Sequence, residues 1–166
     1  MYNFTLVCLA ICGLIVRSIL PRALSFAWTT PDFLLLIVIF NAMFRESPHG
    51  GVTGFLVGLA EDLYVGRFIG LNALAKCVTG AFCSSLSKSV FKENVWIPVI
   101  NVFLGSIINF VIVVVVGTMV GLRWHAFNIM YQGAFEIVLN VCFVPFIYGP
   151  FFQFASGQSR HDDETE

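Results

Sequence analysis

The chain has 166 residues, of which 58% are hydrophobic and 11% charged. Its mean hydropathy is +0.87, against roughly 45–50% apolar and 25% charged usage in water-soluble domains. A formal net charge of -1 with scattered Lys and Arg excludes a nucleic-acid partner and leaves membrane lipid as the surrounding medium.

A spanning helix needs about 20 mostly apolar residues, and that length predicts six segments. The first runs from about Phe4 to Leu20 and is stopped by Pro21, with Arg17 and Arg22 placed to snorkel into headgroups. It lacks a basic leader region and a small-residue cleavage site, so it reads as a retained span rather than a signal peptide. The second opens at Pro31-Asp32, where a carboxylate faces the positive end of the helix dipole, and continues through Phe33–Phe44.

After the polar break Arg45-Glu46-Ser47-Pro48-His49 comes a third, glycine-rich segment over Gly51–Val65. The fourth covers Ile69 to about Leu86, before Lys88, Lys92 and Glu93. Trp96-Ile97-Pro98 opens the fifth, the longest apolar run, which reaches about Gly121 and is followed by the interfacial residues Arg123, Trp124 and His125. The sixth spans about Ile129 to Phe154, with Pro145 and Pro150 expected to kink or fray it.

The expected organisation is therefore one transmembrane helix bundle over residues 1–155 and a polar, irregular tail over 156–166. These runs are continuous rather than alternating, which excludes a membrane β-barrel. Loop charge does not orient the bundle. Arg45, Lys88, Lys92 and Arg160 fall on the side of the termini, Arg17, Arg22, Arg67 and Arg123 fall on the other, and Lys76 lies inside the fourth span.

One segment has a regular pattern: every fourth position from fifty to seventy reads Gly50, Gly54, Gly58, Asp62, Gly66, Gly70. Steps of four stay on one slowly drifting helix face, and glycines there let another backbone approach closely, the main attraction between helices in lipid. The face reads as a packing seam, within the chain or against a partner. Asp62, beside Glu61, is a carboxylate at membrane depth and so needs a partner or water. Asn72 and Lys76 share a face one turn apart, and Lys76 either reaches back to Asp62, snorkels towards the headgroups or faces a partner.

Cys8, Cys12, Cys77, Cys83 and Cys142 are odd in number and lack paired chelating spacing, so they read as small apolar residues and no metal is expected. The eighteen phenylalanines read as packing and lipid exposure. His49, His125 and His161 sit in loops or tail, no serine has a nucleophile-elbow context and no phosphate loop exists, so neither catalysis nor a cofactor is expected. Glu136 and Asn140 lie one turn apart in the sixth span, and Asn101 and Asn109 two turns apart in the fifth. All four are placed to hydrogen-bond between helices.

Pro31-Asp32-Phe33-Leu34-Leu35-Leu36, then Gly54-Phe55-Leu56-Val57-Gly58-Leu59-Ala60-Glu61-Asp62-Leu63, then Gly66, then Gly70-Leu71-Asn72-Ala73-Leu74 resemble the rod shape-determining protein MreD family. The resemblance implies six helices in the bacterial inner membrane with both termini cytoplasmic. It also implies a non-catalytic partner of MreC, acting with MreB, RodA and a class B penicillin-binding transpeptidase to place side-wall peptidoglycan. That family is similar in fold to the substrate-capture subunits of energy-coupling-factor vitamin transporters. A rival expectation is therefore a small-molecule capture subunit with Glu136, Asn109 and Lys76 lining a midplane pocket. The first span lacks the Ala-x-x-x-Ala coupling feature of those subunits, which favours the assembly role.

Overall fold

The computed structural model describes residue 13 and residues 31–44, 49–66, 68–88, 96–123 and 125–162. The first expected span lies outside the described residues except for Gly13, which is helical and packs against Leu34 and Ile37. The described residues form five helices: α1 (Phe33–Phe44), α2 (His49–Val65), α3 (Leu71–Lys88), α4 (Trp96–Met119) and α5 (Ala126–Asp162).

The centre of the bundle is α1. Its sequence FLLLIVIFNAMF is apolar on all sides apart from Asn41, a pattern that suits either protein or lipid around it, and here the other helices enclose it. Residues Leu34 to Met43 are all buried, and α2, α3, α4 and α5 each pack against it. Leu35, Leu36, Ile39, Phe40 and Met43 meet Cys83 of α3, Val102 of α4 and Val144 of α5 in one cluster. Phe33 meets Phe143 edge-on at 5.3 Å, which ties the start of α1 to α5.

Two helices are long and apolar enough to cross a membrane, Trp96–Met119 and the Phe127–Ile147 part of α5. Of the six expected spans, five have a described helix and two of those are long and apolar enough to cross a membrane. The other three have 12, 17 and 18 residues, and α2 and α3 carry charged and amide side chains inward, which lowers their hydropathy. On α4 the buried positions include Asn101, Gly105, Ser106, Asn109 and Gly117, a stripe of small and polar residues. Val111, Val115 and Met119 point outward. This inside-out distribution suits a lipid surround, where apolar side chains have no reason to hide and small residues bring backbones together.

The turn after α4 follows from Gly121. Its φ is 89°, its N–H donates to the Thr118 carbonyl at 3.1 Å, and the Leu122 N–H donates to the Gly117 carbonyl at 2.9 Å. That is the Schellman arrangement, which closes the last carbonyls of a helix with a left-handed residue. Helix α5 then runs through Pro145 and Pro150 to Asp162. Proline is tolerated in a membrane helix where neighbouring groups satisfy the freed carbonyls. At about 1.5 Å per residue, 37 residues are longer than the hydrocarbon thickness of about 30 Å, and the part apolar enough to cross it is Phe127–Ile147.

Candidate functional site

The four-residue pattern divides into three uses. Gly50, Gly54 and Gly58 face α3 directly: a Cβ at Gly54 would overlap the carbonyl of Lys76, one at Gly58 the carbonyl of Asn72, and one at Gly50 would lie 2.7 Å from the carbonyl of Gly80. Gly80 returns the contact, since a Cβ there would overlap the Gly50 carbonyl. The seam therefore lies inside the chain and welds α2 to an antiparallel α3. Gly80 belongs to this seam although the spacing pattern stops at residue 70. Gly66 and Gly70 do not belong to it. They take φ values of 68° and 106° in the turn, where nothing lies within 4 Å of an added Cβ.

Between these two uses sits Asp62, which caps α3. Its Oδ2 accepts from the N–H groups of Gly70 (2.8 Å) and Ala73 (3.1 Å), and its Oδ1 accepts from the Asn72 N–H (3.2 Å) and Asn72 Nδ2 (2.8 Å). A helix start leaves its first N–H groups without intrahelical acceptors and carries a partial positive charge. One carboxylate answers both needs. Asp62→Ala is expected to destabilise the α2–α3 hairpin by about 1–2 kcal/mol, read as a lower midpoint in denaturant unfolding of the detergent-solubilised protein.

Lys76 does not reach Asp62. Its Nζ lies 2.7 Å from Asp32 Oδ2 and 2.8 Å from Glu61 Oε2, with Lys76 and Glu61 fully buried and Asp32 at 7% exposure. The geometry of α2 explains the correction. Val57, one turn before Glu61, packs on Leu34 and Val38 of α1, so Glu61 points towards α1 and Lys76. Asp62, about 100° further round the helix, points towards the start of α3. Asn72 is occupied by the cap and Lys76 by the ion pairs, so the two neighbours on one face serve different partners.

Asp32 joins three helices. Its Oδ1 caps α1 by accepting from the Leu35 N–H at 3.0 Å, its Oδ2 takes Lys76 of α3, and its own N–H donates to Asn140 Oδ1 of α5 at 2.9 Å. Asn140 Nδ2 donates in turn to Ser106 Oγ of α4 at 3.2 Å. The helix-dipole role expected of Asp32 is present, and the lysine is an addition that sequence reasoning missed. A lysine within an apolar span requires a carboxylate, but its position in the sequence does not say which one.

These groups border a cavity of about 150 Å³, lined among others by Asp32, Glu61, Ser106, Asn109, Glu136 and Asn140. Asn109 and Glu136 are thus brought together, whereas Lys76 is not part of the wall. Asn101 lies elsewhere, buried beside Cys83, whose Sγ is 3.8 Å from the Asn101 carbonyl. Among the described residues no group of three or more His, Cys, Asp or Glu is arranged to hold a metal ion, and Cys77, Cys83 and Cys142 form no disulfide.

A family model described as rod shape-determining protein MreD matches residues 1–154. No curated relative and no solved structure matches the chain.

Proposed function

The chain belongs to the rod shape-determining protein MreD family, and from that premise we propose that it is a non-catalytic scaffold subunit of the bacterial cell-elongation complex. In this reading it binds MreC in the inner membrane and helps MreB, RodA and the class B penicillin-binding transpeptidase to position side-wall peptidoglycan synthesis. The observation that carries the reading is the family match, which reaches through the bundle to residue 154. The six predicted spans, with both termini cytoplasmic and a fold similar to vitamin-capture subunits, belong to the same proposal.

The internal chemistry is compatible with it. Two interior carboxylates cap helices and join them: Asp62 closes α3, and Asp32 links α1 to α3 and α5. A rigid bundle held in this way offers partners its outer helix surface. Large apolar side chains such as Leu56, Leu63, Phe103, Val138 and Phe146 are exposed on it, and binding there draws on van der Waals packing rather than reaction chemistry.

Because Gly54 and Gly58 pack internally, the proposal is tested on the intact chain. Affinity-tagged full-length protein, solubilised mildly from its own cells, is expected to bring down MreC, and depleting it is expected to turn rods into spheres. Recovery without MreC, together with unchanged rod shape on depletion, would overturn the assignment.

A further inference from the structure

The cavity has a wall chemistry that the scaffold reading does not use, and we propose that it is a binding site for a small protonated amine. The proposal is independent of the partner assignment and stands on the lining alone. Asp32, Glu61 and Glu136 bring three carboxyl groups to the wall, and among the described residues no basic side chain lines it. Each carboxylate offers about four acceptor positions, so those already engaged in an ion pair or a cap retain capacity for further donors.

A second observation points the same way. Asn109 also lines the cavity and is 6% exposed, yet its Oδ1 has no hydrogen-bond partner. A buried amide oxygen without a donor is uncommon, because most buried polar atoms are paired. An occupant rich in donors would satisfy it, directly or by letting the amide turn over. An ammonium group has three donors and no acceptor.

Phe110 lines the cavity, and its ring is held against Gly133, where an added Cβ would collide with it. An anion would meet three carboxyl groups against the single Lys76 ammonium that two of them share, and a metal ion would lack converging ligands among the described residues. A cavity of about 150 Å³ is the size that accommodates benzene in an engineered core, so the occupant is a compact amine or the amine end of a larger molecule. A free metabolite and an ethanolamine headgroup share this chemistry.

The test uses the full chain in lipid nanodiscs of phosphatidylglycerol or of phosphatidylethanolamine, with empty discs as blank. Butylammonium chloride is titrated calorimetrically, with butanol and sodium butyrate as matched neutral and anionic probes at equal ionic strength. In phosphatidylglycerol discs butylammonium is expected to bind saturably and the other two probes not at all. Glu136→Gln and Asn109→Leu are each expected to weaken binding at least tenfold. Glu136 is only partly buried, so its isosteric variant tests the site even if the Asn109 variant fails to fold.

Equal binding in both discs assigns the site to a soluble amine, whereas loss of it in phosphatidylethanolamine discs assigns it to the lipid headgroup. No saturable binding in phosphatidylglycerol discs, equal binding of butanol, or undiminished binding by Glu136→Gln overturns the proposal.

Discussion

Lys76→Met is expected to be among the most damaging single substitutions in this protein, costing about 3–5 kcal/mol, the range for breaking a buried ion pair by removing one partner. The methylene stem is retained, so the loss is one of charge rather than volume. Asp32 and Glu61, both within 2.8 Å of the missing ammonium, would be left as neighbouring carboxylates with the cation between them gone. Either would then have to take up a proton or open the bundle to water. Adding Asp32→Asn and Glu61→Gln to Lys76→Met is expected to recover a substantial part of the loss, because neutral amides remove the repulsion. The Asp32→Asn change keeps a side-chain oxygen for the Leu35 N–H, so the cap of α1 survives it. Unfolding free energies in mixed detergent for the single and triple variants form the measurement. A triple variant no more stable than Lys76→Met would show that the ionic cluster is not what fails.

The second large effect belongs to the α2–α3 seam. Gly58→Leu and Gly54→Leu are each expected to cost about 3 kcal/mol or more, at or above the upper end for overpacking, because the obstacle is backbone. The Cβ alone would overlap the carbonyls of Asn72 or Lys76, and a helix backbone cannot turn aside as a side chain can. Even alanine forces the two helices apart. Gly149→Ala is the control: it lies in α5 with nothing within 4 Å of an added Cβ, and it is expected to be neutral or slightly stabilising through helix propensity. Thermal unfolding of the three variants separates a bulk effect from a positional one. If Gly58→Leu melts with the control, α2 and α3 do not pair as described.

Loss of rod shape in the seam variants would follow from the fold and says nothing by itself about a partner surface. Copurification of MreC therefore has to be scored on protein that has first been shown to fold. This is a direct consequence of finding the glycines inside the bundle.

Much of the helix map was legible in the residues. Asp32 precedes a helix that starts at Phe33, Trp96 opens the longest apolar helix, and the glycines at 50, 54 and 58 lie on a packing face, because capping, hydropathy and helical period are local properties of the chain. The same period could not say where the pattern changes use. Gly58 and Gly66 are equivalent by spacing, but the first lies against a neighbouring backbone and the second takes a left-handed φ in a turn.

The partner of Lys76 was decided by tertiary structure alone. Asp32 is 44 residues away, and Glu61 and Asp62 differ by one position. Only the rotation of α2 against α1 and α3 turns Glu61 towards the lysine and Asp62 towards the free N–H groups of α3. The cavity is tertiary in the same sense: Asp32 comes from the cap of α1 and Glu61, Asn109 and Glu136 from three other helices, and no local periodicity records how four axes converge. Sequence determined which segments prefer lipid and which faces can pack, since those depend on near neighbours. Charge pairing and the shape of the cavity depend on distances between helices, which are set only once the helices are docked.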